Sequence, residues 1–126
     1  MQDGKLRVLV VDDDEGFVEL LRRAIGRLER YVVEGTAIHG ADGVQKAKSL
    51  QPDVVILDRK MPVMDGLEAL PLIHSAAPSA HIVLYAADVD DDFTLQAISL
   101  GADAVVSKLE PIGALFQAMD RAVGAI

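Results

Sequence analysis

A chain of 126 residues that is 51% apolar and lacks cysteine is large enough to bury roughly two-thirds of its unfolded surface around one core. The missing cysteine excludes a disulfide framework and thiolate metal sites and suits the cytoplasm, and the formal net charge of −8 repels phosphate backbones, so no direct nucleic-acid binding is expected. No apolar run approaches the ~18 residues of a membrane span and no hydrophobic signal segment follows Met1 to Lys5, so a soluble protein without a membrane partner is expected.

Leu6 to Val11 is a β-branched run ended by Asp12-Asp13-Asp14-Glu15, after which Phe17, Leu20, Leu21, Ala24, Ile25 and Leu28 recur at helical spacing. The alternation then repeats. A strand over 32–36 precedes a helix from Ala41 to Leu50, and one over 53–57 precedes a helix starting near Asp65. His81 to Tyr85 precedes a helix from about Asp91 to Leu100, and Ala104 to Val106 precedes the pattern Ile112, Leu115, Phe116, Met119, Val123. Five strand-helix units with uniformly apolar strands such as VVILD predict parallel pairing through right-handed crossovers, hence a doubly wound α/β sandwich formed as one domain over 1–126. The chain ends soon after the fifth helix, at Gly124-Ala125-Ile126, so no output domain is expected. Pro71 should kink the third helix or delay its start, and Gly35 should place the second strand at an edge.

In an open parallel sheet the loops after the strands' carboxyl ends share one rim, where ligands bind. Asp12-Asp13, Asp58, Ala86-Ala87 and Lys108 follow strands one, three, four and five, so three carboxylates and one lysine are predicted to meet. Such a cluster repels itself unless a cation compensates it, and oxygen ligands of this number suit Mg²⁺. Lys108 could pair with Asp58 at rest. An aspartate beside a divalent cation and a lysine is arranged to attack phosphorus and form an acyl phosphate. Asp14 is expected only to cap the first helix, Met61-Pro62 to shape the loop leaving the site, and Arg59 to be solvated. Asp88 to Asp92 has the D-x-D-x-D start of a calcium loop, but its sixth and twelfth positions fall on Phe93 and Ser99, so it reads as the acidic start of helix four. His39, His74 and His81 lack metal-pair spacing and are given no role.

The stretches VLVVDDD at 8–14, PDVVILDRKMPVMDG at 52–66, IVLYAAD at 82–88 and GADAVVSK at 101–108 together resemble the receiver domain of two-component response regulators. The resemblance implies a flavodoxin-like strand order 2-1-3-4-5. It further implies Asp58 as phosphoacceptor and metal ligand, Asp13 as a direct Mg²⁺ ligand, Asp12 as one acting through water, the Lys60 main-chain carbonyl as another ligand, and Lys108 as the phosphoryl contact. A histidine kinase or phosphotransfer protein would be the donor. The face of helix four, strand five and helix five would bind a protein target or a second copy. Three positions depart from the family's pattern: the usual hydroxyl residue is Ala86, the usual aromatic switch is Val105, and Lys108 is followed by Leu109 instead of proline. Ala86 and Val105 motivate an alternative reading, a receiver-like interaction module without phosphate-driven switching. An enzyme is not expected. An aspartate-based phosphatase would need an acid where Lys60 stands, and a dinucleotide site would need a glycine-rich cradle where DDDE stands.

Overall fold

The computed structural model describes residues 4–124; the readings that concern Met1 to Asp3 and Ala125-Ile126 lie outside them. Five strands alternate with five helices: β1 Leu6–Val11, α1 Glu15–Gly26, β2 Tyr31–Ala37, α2 Gly40–Leu50, β3 Val54–Leu57, α3 Gly66–Ala76, β4 His81–Ala86, α4 Asp91–Ser99, β5 Ala104–Ser107 and α5 Gly113–Val123. All four strand pairings are parallel, in the order β2-β1-β3-β4-β5. This is the doubly wound, flavodoxin-like sandwich expected from the alternation and from the family resemblance.

Because side chains alternate across a strand, each strand contributes to two cores. Leu9, Val11, Val55, Leu57, Ile82 and Leu84 pack against Ala47 of α2, Leu70 and Ile73 of α3 and Phe93 and Ala97 of α4. On the other face Val8, Val10, Val54, Ile56, Val83 and Tyr85 pack against Leu21 and Ile25 of α1 and Leu115 and Met119 of α5. The central β3 is therefore buried at all four positions, which is why VVIL carries no polar residue until the sheet ends.

The edge position of β2 agrees with the expectation from Gly35. The ladder slips between Val8↔Val33 and Leu9↔Gly35, leaving Glu34 as an extra residue, and a Cβ on Gly35 would come 2.6 Å from Leu50 Cδ1. The delayed start suggested for the third helix is not found. Asp65 accepts from the Glu68 amide at 2.9 Å while the Glu68 side chain accepts from the Asp65 amide at 3.0 Å, and this capping box starts α3 at Gly66 with Pro71 inside it. His39, given no role in the sequence reading, caps α2: its Nδ1 accepts from the Asp42 amide at 3.1 Å.

One glycine fixes how closely α3 approaches the rim. A Cβ on Gly66 would lie 2.2 Å from the Asp58 carbonyl oxygen and 2.9 Å from Arg59 Cα, and the Gly66 amide donates to the Arg59 carbonyl at 2.6 Å. The obstacle is main chain, which cannot swing aside. Gly66→Ala is expected to lower unfolding free energy by roughly 2–4 kcal/mol; an unchanged urea midpoint would contradict this packing.

Candidate functional site

The register aligns the strand ends in two pairs. Val11 pairs with Leu57, so Asp12 and Asp58 leave adjacent strands together, and the Asp58 amide donates to the Val11 carbonyl at 2.9 Å. Ala86 pairs with Ser107, and the Lys108 amide donates to the Ala86 carbonyl at 2.8 Å, which directs Lys108 back across β4 toward the carboxylates. Ala86 closes β4 instead of following it.

Carboxylate oxygens of Asp12, Asp13 and Asp58 lie within 4.8 Å of one another. Asp12 and Asp58 are buried, 3% and 8% exposed, whereas Asp13 faces solvent. Asp12 Oδ1 accepts from the Asp14 amide at 2.9 Å, and Asp58 Oδ1 accepts from the Arg59 amide at 2.9 Å. Asp14 caps α1 by accepting from the Phe17 amide at 3.1 Å and has no place in the cluster.

The suggested pair of Lys108 with Asp58 is present, and a closer one with Asp12 joins it. Lys108 Nζ lies 2.8 Å from Asp12 Oδ2 and 3.4 Å from Asp58 Oδ1, so Asp12 holds it more closely. Its ammonium also sits 4.3 Å from the Phe17 ring centroid, and Phe17 in turn packs on Tyr85 with centroids 5.8 Å apart. The helix cap that orients Phe17 thereby helps hold the lysine over the carboxylates. Tyr85 belongs to the α1/α5 face, opposite to Ala86, as its strand parity predicts.

Burial pushes the Asp58 carboxyl above its ordinary value, and the Asp12 charge adds to this, against the opposing pull of Lys108 and the Arg59 amide. For Lys108, burial alone would lower the ammonium, but bonding to Asp12 and the charges of Asp12 and Asp58 raise it. Three carboxylates facing one lysine leave net negative charge in a partly buried cluster. The donors are all hard oxygens, a set that fits Mg²⁺ and not a thiophilic metal.

Beside Asp58 lies a cavity of 110 Å³ lined by Arg59, Lys60, Ala86, Ala87, Asp88 and Lys108. Arg59 is not simply solvated. Its Nη1 donates to the Asp88 carbonyl at 2.7 Å, and its guanidinium carbon lies 4.1 Å from the Phe93 ring centroid. The exposed Lys60 ammonium pairs with the Asp88 carboxylate, and this bond and charge hold the Asp88 carboxyl below its ordinary value. Val105 is half-buried and packs on the α2/α3/α4 face of the sheet. Asp90 caps α4 by accepting from the Phe93 amide at 2.8 Å, the acidic helix start expected for this stretch. Sequence reasoning missed the contacts of Phe17 with Lys108 and of Arg59 with Phe93 and Asp88. Phe17 was visible only as a helix-core position, and Phe93 only as the residue that breaks the calcium-loop pattern. A larger cavity of 260 Å³ near Pro62, Val63 and Met64 contains no carboxylate.

Residues 8–120 match the family model for the response regulator receiver domain. The chain belongs to this family. It is a receiver domain of two-component signalling, in which phosphorylation and Mg²⁺ binding are typical, and the receiver itself is a signalling unit. Among curated proteins it is similar to a protein-glutamate methylesterase/protein-glutamine glutaminase of Methanosarcina mazei, 38% identical over 115 residues that make up 90% of this chain and 31% of that protein. A relative of the same description from Caldanaerobacter subterraneus is 41% identical over 105 residues, 82% of this chain and 29% of that one. The receiver thus spans about a third of these relatives' length, and the activities in their names are those of the longer proteins. Among solved structures, the response regulator domain of Thermotoga maritima CheB is similar with a TM-score of 0.88 and 27% identity, covering 97% of this chain and 98% of that one. The Borrelia burgdorferi CheX-CheY-BeF3-Mg²⁺ complex matches with a TM-score of 0.84 and 27% identity, covering 92% of this chain and 87% of that chain. Among the described residues, no helix of the receiver is long and apolar enough to cross a membrane.

Proposed function

We propose that Asp58 is the residue on which this receiver accepts a phosphoryl group, with Asp12, Asp13, Asp58 and the main-chain carbonyl of Lys60 holding Mg²⁺ and Lys108 contacting the phosphoryl oxygens. The observation that carries the reading is the convergence of Asp58 with two further carboxylates and Lys108 at the ends of β1, β3 and β5. A carboxylate oxygen of Asp58 attacks phosphorus in line, the bond from phosphorus to the leaving group breaks, and the leaving group departs with the electron pair. Lys108 is held within reach of the transferring oxygens by Asp12 and Phe17, and its ammonium offsets the charge that Asp58 gains. When bound, Mg²⁺ supplies further charge neutralisation at those oxygens.

The donor is a histidine kinase or phosphotransfer protein in the cytoplasm. The target, or a second copy, meets the face of α4, β5 and α5, where Leu95 and Leu109 are 69% and 85% exposed. The net charge of −8 argues against nucleic acid as a direct partner. Incubation with acetyl phosphate and Mg²⁺ is expected to add one phosphoryl mass to the intact protein, with no gain in EDTA; no gain at millimolar reagent with Mg²⁺ would sink the proposal.

Lys60 stands two residues from the acceptor on the wall of the cavity where water must approach the acyl phosphate. Removing its charge in Lys60→Asn is expected to change the phosphoryl lifetime by about twofold or more. Identical decay of the two proteins would show that Lys60 stays on Asp88 and plays no part in hydrolysis.

A further inference from the structure

Ala86 and Val105 have no polar side-chain atom, so neither side chain can hydrogen-bond to a group carried on Asp58. Polar side chains of the β3–α3 loop do, however, reach the β4–α4 loop. Arg59 directly follows Asp58; its Nη1 donates to the Asp88 carbonyl at 2.7 Å and its guanidinium carbon lies 4.1 Å from the Phe93 ring centroid in the first turn of α4. Lys60 binds the same Asp88 through its carboxylate. Two consecutive residues of one loop thus hold the main chain and the side chain of a residue in the next loop, and through Phe93 the helix beyond it. Phe93 is 1% exposed and its amide donates to the Asp90 side chain, so the ring moves only with the start of α4.

The geometry points to Arg59 and Lys60, clasped on Asp88 and Phe93, as the positioning residues that transmit occupancy of Asp58 to α4. This rests on Asp58 being the acceptor. Lys60 and Asp88 are 74% and 64% exposed, so their attraction is screened by solvent and readily exchanged. A phosphoryl group on Asp58 would enter the cavity that Lys60 and Asp88 both line, carrying more charge than a single carboxylate. It competes with Asp88 for the Lys60 ammonium and repels the Asp88 carboxylate. The Arg59 amide already donates to Asp58 Oδ1 at 2.9 Å, so the residue whose main chain senses the acceptor is also the residue whose side chain rests on α4. The device has two arrangements, Lys60 on Asp88 or Lys60 on the phosphoryl oxygens, and α4 is biased by which one is populated.

Amide hydrogen exchange with and without Mg²⁺ and beryllofluoride tests the link, with beryllofluoride binding followed separately by ¹⁹F NMR. In the unaltered protein, occupancy is expected to change exchange at amides 90–97 by about fivefold or more. Arg59→Gln combined with Asp88→Ser should bind beryllofluoride yet shift those amides by less than about twofold, each single variant should give an intermediate response, and Asp88→Glu should retain the full one. A double variant that binds beryllofluoride and responds at α4 like the unaltered protein would overturn the clasp, as would bound beryllofluoride without any α4 response in the unaltered protein. Failure of the unaltered protein to bind beryllofluoride would instead overturn the assignment of Asp58, and the clasp with it.

Discussion

Asp58→Asn is expected to abolish acetyl phosphate labelling and at the same time to stabilise the fold in metal-free buffer at neutral pH. The carboxyl is raised above its ordinary value of 3.8 chiefly by burial and then by Asp12, so the folded chain holds this proton more tightly than the unfolded chain does. The stabilisation associated with that proton is fully present below 3.8 and is lost as pH rises through the raised folded value. At neutral pH the ionised Asp58 is therefore a cost that the fold carries for its chemistry. Asparagine has no proton to lose and removes one of three crowded carboxylates. A gain on the order of 1 kcal/mol, or ~4 °C in thermal midpoint, is expected. The difference between the two proteins should shrink as pH falls toward 3.8. Equal midpoints at neutral pH would mean that Lys108 fully compensates the cluster without a metal.

Lys108→Met is expected to act in the opposite direction. Its ammonium is the cation shared by Asp12 and Asp58, whose side chains are 4% and 11% exposed, and removing one partner from buried charges leaves the others uncompensated. A loss of roughly 2–4 kcal/mol in metal-free buffer follows, because the methionine side chain replaces the packing on Phe17 but not the charge. Mg²⁺ should restore more stability to this variant than to the unaltered protein, since it supplies the charge that the lysine no longer does. Phosphorylation of the variant should also slow, by about 10²-fold or more, as the ammonium that faces the transferring oxygens is gone. Chemical denaturation with and without Mg²⁺ reads the first two effects. A variant as stable as its parent in EDTA would contradict the account of how the cluster is held.

The fold was legible because its two strongest local signals agreed. Apolar strands such as VVIL alternate with helices at regular spacing, and β1, β3 and β5 each break off at a charged residue, Asp12, Asp58 and Lys108, so the chain itself marks which ends line the rim. Asp12, Asp13, Asp58 and Lys108 could be placed together for that reason, and Gly35 marked its edge strand through the absence of a side chain. Partner choice within the rim was not legible. Asp12 and Asp58 stand equally well placed for Lys108 in the sequence, and only the tertiary position of Phe17 and the path of Lys108 across β4 favour Asp12. Arg59 reads as solvated because its aromatic partner lies on a helix 34 residues later (59 to 93). Pro71 was read by propensity alone, whereas the reciprocal bonds of Asp65 and Glu68 fix the helix start ahead of it. In each case a long-range contact or a cap outweighed the local preference.

Ala86 and Val105, where the resemblance implies a hydroxyl and an aromatic residue, lie outside the cluster of Asp12, Asp13, Asp58 and Lys108. Asp58 directly follows the buried central strand, faces two carboxylates and lies within 3.4 Å of a lysine. The central claim is tested most directly by locating the covalent bond. Protein treated with acetyl phosphate and Mg²⁺ is reduced with borohydride, which converts an aspartyl phosphate to homoserine, and then mapped by tandem mass spectrometry. Homoserine at position 58 is the expected result; homoserine elsewhere with an unmodified Asp58, or a phosphoryl group that survives reduction on a hydroxyl side chain, would contradict the account.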